Sequence, residues 1–198
     1  SRGSYWRGRG SDPAVATALA SMVGHVSEAA AGAAAAALGR FPSPEAATVL
    51  KRAFDTDTRD WVRIEALAGL ERMRDPEAGA LAVRALSDPA PQVQVAGAAT
   101  LSSLGDGRYG AALVAYYDTH ESERVILEWL GCVGDAPGST LVRDRLLAEA
   151  NNRALDFSKR VLAAHALEEM GHADLVRRLL DREKGDQTHQ SLGVVQFE

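Results

Sequence analysis

The segment RDWVRIEALAGLERMRDPEAGALAVRAL, residues 59–86, is followed by PQVQVAGAATLSSLGDGRYGAALVAYY, residues 91–117, and the two align at a spacing of 31 positions. Val62 recurs as Val93, Ala68 as Ala99, Leu70 as Leu101, Asp75 as Asp106, Ala80 as Ala111 and Val83 as Val114. A period of this length is the mark of a repeat architecture built from one small supersecondary unit. A lone helical hairpin cannot cover its own apolar face, so copies must stack and share a continuous core.

The breaks between helices extend the pattern. The last apolar residue before each break is Leu38, Met73, Leu104, Val133 and Met170, in steps of 35, 31, 29 and 37. A turn residue follows at Gly39, Arg74, Gly105, Gly134 and Gly171, and glycine suits a helix end that needs a left-handed residue. Asp75, Asp106 and Asp135 come next, placed to cap the second helix of each hairpin. The longest step reflects AEANNRALDFS, an insertion at a repeat junction. Upstream, a helix is signalled from Ser11, capped by Ser11 or Asp12, with Pro13 in its first turn, and runs to about Val23. A second helix spans Ser27 to Leu38. In the third, SPEAATVLKRAF, Ser43 is the N-cap, Pro44 the first residue and Phe54 the end. The predicted fold is all-α, a solenoid of four to five helical hairpins.

Composition supports close helix packing, because alanine is abundant and aromatics make up only 6% of the residues. Ala66, Gly97 and Ala163 are expected to let neighbouring helices approach. Trp129 replaces a small residue of the other repeats and reads as packing or a lone exposed aromatic. Cys132, the one cysteine, allows no intrachain disulfide and is expected to be a small buried hydrophobe. The net charge of −5 gives no global drive toward nucleic acid or an anionic membrane, although a local basic face stays open. The run EAAAGAAAAALG is far short of the ~20 apolar residues of a membrane span, and the start shows no secretory pattern. These features lead to the expectation of a soluble, cytoplasmic protein. Its opening residue, Ser rather than Met, reads as that of an excised fragment or processed product. Residues 1–11 read as a flexible tail or linker, 12–184 as the repeat domain and 185–198 as a C-terminal tail, LGVVQFE having strand-like composition.

The stretch DTRDWVRIEALAGLERMRDPEAGALAVRALSD resembles a HEAT repeat of the short bacterial type also found in phycobilin lyases. The marks are Val62-Arg63, Ala66, Leu70, Asp75-Pro76, Ala78 and Ala85-Leu86. The second copy keeps Val93, Leu101 and Gly105-Asp106 but has Gln94 in place of the arginine; later copies are degenerate. The resemblance covers roughly residues 26–182. It implies a right-handed α-α superhelix whose second helices, here near 44–54, 76–87, 108–118, 138–150 and 173–183, line a concave binding surface. It implies no single function, because the repeat is a scaffold for many partners.

Carried onto this chain, the resemblance assigns partner binding to Lys51, Arg52, Arg84, Tyr116, Tyr117, Arg143, Arg145 and Arg177. The arginines would form a broken ridge that makes bidentate contacts to carboxylates of a protein or peptide, and the tyrosines would supply apolar anchorage. The alternative is nucleic-acid binding by the same ridge, after the manner of HEAT-like DNA glycosylases, with a lyase-like enzyme as the third and least favoured reading. Arginines near helix C-termini also have a purely structural reading, as solvated residues that complement the dipole. No catalytic, cofactor or metal residues are assigned, since the sequence lacks a phosphate loop, a nucleophile elbow, metal-spaced ligands and the His-Glu pairs of HEAT-like hydroxylases. His165 is expected in a satisfied core or seam pair near Glu128.

Overall fold

The computed structural model describes residues 13–120, 125–133 and 138–194. Among these residues eleven α-helices and one 3-10 turn follow one another without a strand. The chain divides into two compact units, Ser1–Leu104 and Gly105–Glu198, where the sequence pattern predicts one repeat domain.

The first unit holds α1 (Pro13–Met22), α2 (Glu28–Leu38), α3 (Pro44–Thr56), α4 (Asp60–Arg72), α5 (Ala78–Ala85) and α6 (Pro91–Leu104). Ser27 and Ser43 accept hydrogen bonds from the Ala30 and Ala46 amides, so both helices start where the capping signals place them. The capping residues predicted for α1, Ser11 and Asp12, lie outside the described residues. Helix α4 packs against both α2 and α3, and α6 against both α4 and α5. Each first helix thus fills the groove of the preceding hairpin. The repeated residues Val62, Leu70, Val93 and Leu101 are fully buried in that stack, together with Leu38, Leu50 and Leu67.

The second unit holds the 3-10 turn Gly107–Tyr109, α7 (Gly110–Thr119), α8 (Val125–Gly131), α9 (Thr140–Asn151), α10 (Phe157–Glu169) and α11 (Ala173–Val194). Asp106 accepts from the Arg108 amide at 3.0 Å and caps the 3-10 turn. Helix α10 packs against α8 and α9 as α4 does against its predecessors. Leu113, Ile126, Leu127, Leu130, Leu146 and Leu167 form the core of this unit.

Close approach rests on small residues at two clear positions. A Cβ on Gly97 would lie 2.7 Å from the Ala85 methyl and 2.8 Å from the Ala82 carbonyl oxygen, as expected for a packing glycine. A Cβ on Gly39 would lie 2.5 Å from Gly69 Cα. Gly39 has a right-handed φ of −59°, so it is glycine for reasons of space. Of the predicted turn residues, Arg74 (φ 55°), Gly105 (φ 60°) and Gly171 (φ 92°) are left-handed, as is Gly138 (φ 98°) before α9.

Two expectations are corrected. Helix α11 continues through Gly185 to Val194, where a tail was predicted from 185 onward. One interior glycine costs only about 1 kcal/mol, which a long helix absorbs. Cys132 is exposed because it follows the end of α8, on the solvent side of the buried residues Gly131 and Val133. Among the described residues no helix is long and apolar enough to cross a membrane.

Candidate partner-binding surface

The second helices of the first unit carry Lys51 and Arg52 on α3 and Arg84 on α5. Lys51 turns toward the next hairpin, its Nζ 3.0 Å from Asp75 Oδ1 and 2.6 Å from Glu77 Oε1. The hydrogen bond to Glu77 is the main reason its pKa is raised, against a smaller opposing effect of burial. Its ammonium is spent on joining two hairpins. Arg52 is exposed, and among the described residues it has no ion pair. Arg84 is 61% exposed, with Nη2 3.0 Å from Asp55 Oδ1 and its guanidinium 5.7 Å from the Phe54 ring centroid. An open pair of this kind contributes about 0–1 kcal/mol and is easily exchanged for another carboxylate.

In the second unit the predicted residues separate by environment. Tyr116 and Tyr117 are 5% and 0% exposed, so neither presents a ring to a partner. Both rings are consumed by packing inside the unit. Tyr116 stacks on His120 with ring centroids 4.1 Å apart. Tyr117 is approached by two cations, with the Arg145 guanidinium 5.0 Å and the Lys159 ammonium 5.3 Å from its ring centroid. Arg145 also pairs with Glu149 and with Asp118, the latter at 2.9 Å. Burial depresses its pKa, but the hydrogen bond to Asp118 and the charge of Glu149 outweigh that and raise it. Arg143 is half-buried and pairs with its neighbour Asp144 at 2.7 Å. Arg177 is exposed on α11.

A buried polar cluster therefore occupies the place assigned to an apolar anchor. Glu149 is 3% exposed, bound by Arg145 and 4.0 Å from the Lys159 ammonium, which is itself part of an 8% exposed residue. The i,i+4 spacing of Arg145 and Glu149 on α9 is a sequence signal for this pair. Nothing comparable in the sequence announces Lys159, which arrives from the following hairpin on α10.

His165 is not a core residue. Its side chain is 65% exposed and Nδ1 stands 3.8 Å from Glu169 Oε1, its neighbour one turn on. Together with Glu128, Trp129 and Cys132 it lines a shallow cavity of about 310 Å³ between α8 and α10. Among the described residues no group of three His, Cys, Asp or Glu side chains is placed to hold a metal ion.

A family model of HEAT repeats matches residues 6–71 and again residues 57–129. No curated protein matches the chain.

Proposed function

Because the chain belongs to the HEAT-repeat family, we propose that it is a non-catalytic protein-interaction module that docks an acidic partner segment on its second helices. The observation that carries this reading is the pair Arg52 and Arg84, exposed on consecutive second helices and held by nothing stronger than the open contact to Asp55. Phe54, buried beneath Arg84, holds the guanidinium in place without neutralising it. Exposed Arg177 and half-exposed Arg143 serve the same role in the second unit. Lys51, Arg145 and the two tyrosines have structural duties and do not enter the contact.

Arginine forks on adjacent helices suit carboxylates, which they bind bidentately. The test is affinity capture after nuclease treatment, followed by rebinding with the purified partner, comparing wild type with Arg52→Glu/Arg84→Glu. A defined protein retained by the wild type and released by the variant is the expected result. Loss of all binding on nuclease treatment, with a steep dependence on salt, would mean phosphate contacts instead. Equal retention by the variant would remove the second-helix ridge from consideration.

A further inference from the structure

Helix α8 of the second unit ends on Gly131, and that glycine lets α10 cross it closely. A Cβ on Gly131 would lie 2.9 Å from Ala166 Cα and 3.1 Å from Glu169 Oε2. Its absence therefore sets how near the Glu169 carboxylate comes to α8. Along α10, Leu162, His165, Ala166 and Glu169 follow at intervals of three, one and three residues, which puts them on one face. Across from them stand Glu128 and Trp129 of α8, and the two rows enclose the cavity of about 310 Å³ described above.

Trp129 is the residue that the repeat does not explain. Gly69 and Thr100, in register with it, are small and buried. Trp129 is half-buried and lines the cavity. An indole face attracts cations through its quadrupole. Both carboxylates of the lining have spare capacity. Among the described residues Glu128 makes no ion pair or hydrogen bond, and it is exposed. Glu169 has the His165 imidazole at 3.8 Å, too long for a hydrogen bond. No lysine or arginine stands among the described lining residues.

We infer that this cavity binds an organic cation, a guanidinium or ammonium group on an aliphatic stem. The indole of Trp129 and the carboxylates of Glu128 and Glu169 receive the charged head, and Leu162 and Ala166 receive the stem. A metal ion suits the lining poorly, since an indole and an apolar floor offer it no donor atoms. The site has the opposite sign to Arg52 and Arg84 and lies in the other unit. It stands whether or not those arginines touch a partner.

The probe is butylguanidinium, with butylammonium beside it, titrated onto the full chain and followed by two-dimensional amide NMR. Butylurea, which has a similar shape and an uncharged head, is the control. Amides of α8 and α10 and the Trp129 indole should shift saturably with both cations. Butylurea should bind at least about tenfold more weakly, because it lacks the charge that ring and carboxylates recognise. Glu128→Gln/Glu169→Gln should weaken butylguanidinium about tenfold or more. Trp129→Leu should weaken it about threefold or more. Both glutamates lie at the surface and glutamine keeps their shape, so the same spectra should show that variant folded. A capped Gly-Arg-Gly peptide separates the two sources of such a cation. Binding as tight as that of butylguanidinium would assign the site to a side chain of a partner protein, and weaker binding to a free amine or guanidine. Equal binding of butylurea would overturn the inference, as would indifference to the glutamine variant. So would shifts that never saturate and spread over the acidic surface, because cations would then be gathering on net charge alone.

Discussion

Arg74 and Gly171 hold the same left-handed conformation at corresponding ends of α4 and α10. The hydrogen bonds are equivalent: the Asp75 amide donates to the Leu70 carbonyl and the His172 amide to that of Leu167, closing a Schellman turn in each case. A side chain in this conformation costs about 1–2 kcal/mol, part of which glycine gives back through its freer unfolded state. Arg74→Gly should therefore stabilise the protein by about 0.5–1 kcal/mol in urea unfolding. Gly171→Ala should destabilise it by about 1 kcal/mol, although nothing lies within 4 Å of the new methyl. At this scale the sequence was readable in part. The spacing of turn residues located the ends of α2, α4, α6 and α10, but it assigned Gly39 to backbone conformation when Gly69 demands the space. A glycine needed for φ and a glycine needed for contact look the same in a sequence.

Helix α9 shows why element boundaries were easier to read than surface roles. Its start and end follow from pattern, yet Arg145, assigned to a binding ridge because it lies on a second helix, folds back toward Glu149 and Tyr117. The difference comes from α10, which brings Lys159 to 5.3 Å from the centroid of the same ring. Register along one helix cannot report what the next hairpin delivers. Removing one member of such a buried cluster leaves the other charges without compensation. Glu149→Ala is expected to cost about 3–5 kcal/mol in chemical denaturation. Asp118, whose carboxylate side chain is 50% exposed in its pair with Arg145, should cost less than about 1 kcal/mol when replaced by Ala. Helix α11 was misjudged for a different reason: Gly185 lowers helix propensity locally, and local propensity is a weak guide once a helix is long.

Across the whole chain, stability in acid should follow the carboxylates that the fold holds in ionised form. The clearest is Asp57 at the end of α3. Its hydrogen bonds with Arg59 lower its pKa, chiefly through the side chain, against the opposing effect of burial. Arg59 in turn donates to the His25 carbonyl at 2.6 Å, so this carboxylate fixes a cation that ties two loops. A lowered folded-state pKa means that the unfolded chain binds more protons in acid. The contribution is complete above the unfolded carboxylate value near about 4 and fades as pH falls below it. Thermal unfolding followed against pH should show this loss in the wild type and a flatter acid limb in Asp57→Asn, which starts less stable at neutral pH.

The salt link from Lys51 to Asp75 and Glu77 bears on how such a chain can change by duplication. The Asp75 side chain is only 8% exposed, and its ion-pair partner is the lysine contributed by the preceding hairpin. The residue in the register of Lys51 on α5 is Val83. A tandem copy of α4–α5 would present Val83 to the Asp75 of the new copy, leaving a nearly enclosed carboxylate facing a hydrocarbon, although every apolar seam would still match. The hairpins are alike enough to stack and unlike enough to have assigned neighbours. Their order is inherited information, and duplication of this unit can persist only with a compensating change at position 83 or 75.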